Sequence, residues 1–262
     1  MLLGSRLVRS RPWLPVLSMT LVACSGAGEQ APAEPVLVQG PCAQVHGTDI
    51  CTWGETVGEN VVAFGATIPI GVVANAPEDA PMSWPPVANA VIALPAAVES
   101  ATGFSHMTVF WEHHGHPPGP YLTPHFDFHF YGVSQAEREA IDCVDTTKPA
   151  ELAAGYALPD VTIPELGDLP GLCVPTMGMH SLPETELNSP DIFQKTMVVG
   201  YTLGRPIFIE PMITAATLNA RQTFTLDVPT VPGWPATGRY PASFQAEWDE
   251  AAQSYRFVFS GL

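Results

Sequence analysis

Basic residues are scarce in this chain. Ten lysines and arginines stand against 26 aspartates and glutamates, for a formal net charge of −16. Three of the ten, Arg6, Arg9 and Arg11, crowd the N-terminus. So acidic a chain is excluded as a nucleic-acid binder, because that affinity rests on neutralising phosphates. It repels anionic headgroups and attracts cations only diffusely. Charge of either sign is sparse, at 14% of residues against 46% hydrophobic, which excludes a disordered polyelectrolyte and is ample for a core. Long uninterrupted segments are missing as well: 28 prolines and 22 glycines leave few stretches long enough for a helix of three turns. No apolar run reaches the roughly 20 residues of a spanning helix. No C-x-x-C pair occurs among the five cysteines, which argues against a thiolate metal site.

The N-terminus carries an address. A basic start and an apolar run from Trp13 to Ala23 lead into Leu21-Val22-Ala23-Cys24-Ser25, which resembles the lipobox of bacterial lipoproteins. The resemblance implies a signal peptide over 1–23 and a lipidated Cys24 as the first mature residue, attached to a membrane through that lipid. No aspartate follows Cys24, which in a diderm implies the outer membrane and the periplasmic side. Residues 24–40 are read as the lipidated cysteine and a flexible tether, and 41–262 as one domain. Removing Arg6, Arg9 and Arg11 with the leader makes the remainder more acidic still. Four cysteines then remain, an even number in an oxidising compartment. Of the three pairings open to them, Cys42–Cys51 and Cys143–Cys173 are favoured, the first closing a short loop around Gly47 and the second stapling the proline-rich stretch between its partners.

Alternating or apolar segments bounded by Gly and Pro recur at 60–67, 90–94, 106–112, 125–132, 196–203, 206–213, 222–228, 243–248 and 254–259. Their spacing predicts a mainly β fold, an antiparallel sheet or barrel in a single domain, with one or two short helices and long proline-rich loops. Hairpins are expected over 196–213, turning at Leu203-Gly204-Arg205, and over 243–259. Ser134 and Glu137 stand in capping-box spacing and predict a short helix over 135–142. Residues 145–192 are expected to form a long structured excursion.

Six of the eight histidines fall between His106 and His129. On a strand, side chains alternate faces. His125, Asp127, His129 and Tyr131 therefore share one face, and Phe126, Phe128 and Phe130 take the other. The aromatic face is expected in the core and the polar face in a pocket. Imidazoles at i and i+4 lie roughly 13 Å apart along a strand, too far to hold one ion unaided. Asp127 with either neighbour is close enough, the remaining residue supporting the ligands from behind. His114 and His116, in the loop before this strand, are expected to fold over the same face. His180, within Met177-Gly178-Met179-His180, sits near Cys173, whose disulfide would hold it in place. Glu210 ends an apolar run where a carboxylate needs a partner.

The candidate metal ligands are thus His125, His129, Asp127, His114, His116, His180 and Glu210. The cofactor they suit is a divalent transition metal, zinc or another, since mixed nitrogen and carboxylate donors do not select one. The alternatives are a metal-free polar pocket using histidine as acid and base, and purely structural networks, with Glu210 paired to Arg205 or Arg221. Met177, Met179 and Met212 read as core, Trp111 and Tyr121 as pocket wall.

The runs Trp111–Pro118, Pro124–Tyr131, Met177–His180 and Glu210–Met212 resemble a family of exported bacterial proteins known as a domain of unknown function, whose namesake is a Thermus extracytoplasmic-stress protein. The resemblance covers about residues 55–260. It implies a β-rich, oligomer-forming domain and brings no activity, substrate or catalytic residue. The H-x-D-x-H strand is also similar to metal strands of cupins and alpha-type carbonic anhydrases. It departs from the cupin pattern, which has histidines at i and i+2 and a nearby glutamate, whereas here Asp127 intervenes and Glu137 falls in a predicted helix. His180 matches the third carbonic anhydrase histidine by order alone. Three functions stay open: envelope metal binding, metal-dependent catalysis on a small molecule of unknown kind, and a metal-free structural or oligomeric role.

Overall fold

A computed structural model describes residues 33–79, 83–164, 166–234 and 239–262. The leader, Cys24 and most of the expected tether lie outside the described residues. The first strand, β1 (Val36–Val45), begins inside the span read as tether and pairs with β2 (Thr48–Val57), which pairs in turn with β3 (Asn60–Pro69). Next come β4 (Ala90–Ala93), β5 (His106–Glu112) and β6 (His125–Tyr131). The proline-rich excursion holds β7 (Tyr156–Ala157), β8 (Val161–Ile163), β9 (Gly167–Leu169) and β10 (Met179–Pro183). The chain ends with β11 (Lys195–Thr202), β12 (Arg205–Thr214), β13 (Phe224–Asp227), β14 (Ser243–Asp249) and β15 (Ser254–Ser260).

The mainly β expectation holds, in the form of open sheets with no closed barrel among the described residues. One sheet runs β1-β2-β3-β15-β14-β13, a second runs β4-β5-β6-β12-β11-β10-β7, and β8 and β9 pair separately. The hairpin at 203–205 forms as expected: Leu203 and Gly204 both have positive φ (49° and 72°), the turn whose twist matches paired strands. His46 and Gly47 do the same between β1 and β2. That first hairpin was read only as a disulfide loop, because Gly40-Pro41 interrupts its alternation, and the pairing register does shift between Gln39 and Cys42. Both favoured disulfides are present, Cys42–Cys51 and Cys143–Cys173. The helix at Ser134 carries both halves of its capping box and ends at Glu139, short of the expected 142. No helix among the described residues is long and apolar enough to cross a membrane.

The core is made by β6. Its phenylalanines face the first sheet, with Phe128 edge-on to Phe257 at 5.0 Å and Phe130 edge-on to Phe259 at 4.9 Å. Phe64 on β3 joins them, and Gly65 beside it lies so close to the Phe257 carbonyl that a Cβ would be 1.7 Å from its oxygen. The opposite face of the second sheet is covered by the excursion, whose Leu169, Leu172 and Leu182 cluster with Tyr131, Phe208 and Met212. The polar face of β6 is thereby covered, and all seven of its residues are buried.

Phe128 has no exposed surface, and Phe128→Ala is expected to lower unfolding free energy by about 3–5 kcal/mol in denaturant titration. Val144→Ala, at a position 82% exposed, should change it by less than about 0.5 kcal/mol. A loss below about 1 kcal/mol at Phe128 would rule out the inter-sheet packing.

Candidate metal centre

The register of the second sheet sets the polar face. His125, Asp127 and His129 on β6 stand opposite Glu112, Phe110 and Thr108 on β5. On the other side Met212 of β12 opposes Asp127, and counting along both strands places Glu210 opposite His129. His180 of β10 is opposite Gly200 of β11, and Gly200 is opposite Phe208 of β12. Gly200 makes room for the Phe208 ring, which lies over it so closely that a Cβ there would be 1.9 Å from the ring edge. Phe208 contacts both His129 and His180, with ring centroids at 4.7 Å and 5.2 Å.

The loop between β5 and β6 delivers His116. Gly115 makes this possible, with φ of 66° and a backbone against Tyr121 and Thr123 that leaves no room for a Cβ. The His116 amide then donates to the Tyr121 carbonyl at 3.2 Å.

Six of the seven expected ligands gather into two groups, and they do not converge on one point. His116, His125 and Asp127 offer donor atoms within 4.8 Å of one another, and so do His129, His180 and Glu210. In the first group Asp127 Oδ1 is 3.2 Å from His125 Nε2, and Oδ2 is 3.8 Å from His116 Nε2. In the second, His129 Nε2 is 3.4 Å from both Glu210 Oε2 and His180 Nε2. Donors bound tetrahedrally at about 2.1 Å are separated by about 3.4 Å. Both groups have that spacing.

The seventh candidate, His114, is not part of either group. It is exposed, and its ring packs against His113 at 4.2 Å. The strict alternation that governs β6 does not extend into a loop, where Gly115 turns His116 inward and leaves His114 exposed in the cavity wall. Glu210 does not pair with Arg205, which reaches Glu137, or with Arg221, which lies over the Trp248 ring. Met177, Met179 and Met212 are buried in apolar clusters, as expected of core residues.

Three imidazoles are oriented by the backbone. Nδ1 donates to a carbonyl oxygen in each: His116 to Pro117 at 2.9 Å, His125 to Thr123 at 2.7 Å, and His180 to Leu172 at 3.0 Å. With Nδ1 carrying the hydrogen, Nε2 of the neutral ring presents a lone pair to its group. Leu172 adjoins Cys173, so the second disulfide anchors the carbonyl that aims His180.

Lone pairs and carboxylate oxygens then face one another. His125 Nε2, Asp127 Oδ1 and Glu210 Oε2 are buried without an aligned hydrogen bond, although each has a polar atom within 3.2–3.4 Å. Such a packing of acceptors calls for protons or a cation between them.

Protons supply part of that positive charge. Burial opposes charge on both His125 and Asp127, but each favours the charged form of the other, which raises His125 and lowers Asp127 to about 2. In the second group the carboxyl, not an imidazole, keeps the proton. Burial, then the neighbouring His180, hold His129 well below the usual imidazole range, and burial lowers His180 to about 4. Glu210 is raised well above the carboxylate range by burial and by Asp127 beside it. His129 and His180 are accordingly neutral near pH 7, the form that binds metal.

Glu112 was not anticipated as a site residue. It lies opposite His125, and burial followed by the charge of Asp127 raises it to about 7. A carboxylate ending an otherwise apolar strand was the available signal. Beside these groups is a cavity of about 600 Å³, with Asp127, His116, His180 and Glu112 in its wall and an apolar surround that includes Phe110 and Met177.

His106, the first of the clustered histidines, stands apart from both groups. It stacks on Tyr131 at 4.9 Å and bonds to Ser105, and burial followed by the Arg138 charge lowers it to about 4. An unfolded histidine takes up its proton near pH 6.5, whereas folded His106 refuses it until about 4. Its contribution to stability is therefore complete above pH 6.5 and is lost as pH falls toward 4. Chelator-treated protein should lose on the order of 2 kcal/mol from this residue over that window, and His106→Phe should flatten the pH dependence of denaturant unfolding by that amount. An unchanged slope would show an ordinary histidine.

No protein-family model, curated protein or solved structure matches this chain.

Proposed function

We propose that this chain is a lipid-anchored extracytoplasmic protein of the exported family its motifs resemble, and that it binds a divalent transition metal in the pocket beneath the proline-rich excursion. The observation that carries the reading is a set of four imidazoles and two carboxylates, all buried except the half-buried His116, whose spacing suits metal-ligand bonds and whose acceptor atoms face one another. A cation held between those atoms would satisfy the arrangement. Two disulfides support an oxidising compartment, in keeping with the lipobox at Cys24.

A second reading, metal-dependent catalysis, is favoured by the cavity that reaches Asp127, His116 and His180. An ion held by three protein donors keeps a position open toward that space, as catalytic sites do. Glu112, poised near neutrality in the same wall, is the residue available to move a proton.

Elemental analysis of the purified full chain tests the binding itself. Wild-type protein should carry bound transition metal, and His125→Ala/His129→Ala should lose most of it. Equal metal content in the two proteins would sink the proposal.

A further inference from the structure

We infer that the pocket is a two-metal centre, with one ion held by His116, His125 and Asp127 and a second by His129, His180 and Glu210. This rests on the metal-binding reading above and adds a number and an arrangement to it.

The donors form two complete sets. Each is a pair of imidazoles and a carboxylate oxygen, with separations of 3.2–3.8 Å in the first and 3.4 Å in the second. Strand geometry keeps the sets distinct, because His125 and His129 are four residues apart on β6, roughly 13 Å along an extended strand. One ion cannot draw both rings without breaking pairing with β5 and β12. The same strand keeps the sets adjacent, because Asp127 lies between those histidines and its carboxylate neighbours that of Glu210.

Two carboxylates meeting between two cation sites explain an otherwise unfavourable feature. Adjacent buried acids repel when both are ionised. Placed between two dications they would screen the repulsion of the metals. In the first set the two imidazoles are tied through Nδ1 to backbone carbonyls, and in the second His180 is. Both sets border the cavity, the first through His116 and Asp127 and the second through His180. The ligand class this predicts is a small oxygen donor, water or an oxyanion, entering from the cavity to complete both coordination spheres.

The test is a metal count. The full chain is stripped with chelator, equilibrated with Zn2+, desalted and measured by mass spectrometry. Wild type should retain about two zinc ions per chain, and His125→Ala and His180→Ala about one each. His113→Ala/His114→Ala, which removes the two cavity-lining histidines outside both sets, should still retain both. A single zinc in wild type, abolished by either site variant, overturns the two-metal centre and leaves metal binding standing. No zinc in wild type overturns both. Loss of one ion in the His113/His114 variant also overturns the inference, by placing the second ion on those histidines. The wild-type count requires no substitution, so a poorly folded variant does not remove the test. Co2+-loaded wild type supplies a second readout: spin coupling between neighbouring ions is expected, and an uncoupled spectrum with two ions bound overturns the shared centre.

Discussion

Everything in this molecule depends on how β6 is held. Phe126, Phe128 and Phe130 are fully buried against the first sheet, and burying each stabilises the fold by about 2–3 kcal/mol relative to exposure. Because side chains alternate, that packing also fixes where His125, Asp127 and His129 point. A one-residue slip would send three phenylalanines to the polar side and three polar groups into the inter-sheet core. The hydrophobic effect thus positions the site, although none of the site residues contributes to it.

The second requirement is a cover. A polar face on an antiparallel sheet ordinarily meets water. Here the excursion between the helix at Ser134 and β11 closes over it, stapled by Cys143–Cys173 and packed through Leu169, Leu172 and Leu182. Closing it desolvates the histidines and carboxylates and brings two of the six donors' essential supports: His180 itself and the Leu172 carbonyl that aims it. The fold therefore creates an electrostatic problem, buried acceptors facing one another, at the place where a cation resolves it.

Much of the fold was legible because its signals are local. The strands at 106–112 and 125–132, the turn at Leu203-Gly204 and the capping box at Ser134 each depend on residues within one or two turns of chain, and each formed close to where it was read. The first hairpin was missed because Gly40-Pro41 breaks its alternation and the adjoining tether drew it into a different reading. The short strands of the excursion, two to five residues long, have no period to detect.

Within the site the division is sharper. Alternation on β6 determined that His125, Asp127 and His129 share a face, and composition determined that the surface is acidic and that the histidines are concentrated. Tertiary structure decided the rest. A single positive-φ glycine separated His116 from His114, a glycine opposite His180 made room for the Phe208 ring that packs on His129 and His180, and strand register set Glu210 beside His129 and Glu112 beside His125. The reason is physical: a sequence fixes the face on which a strand residue lies through the two-residue repeat of its own backbone, whereas the gathering of donors from four segments depends on register and crossing distances that exist only once the sheets are packed.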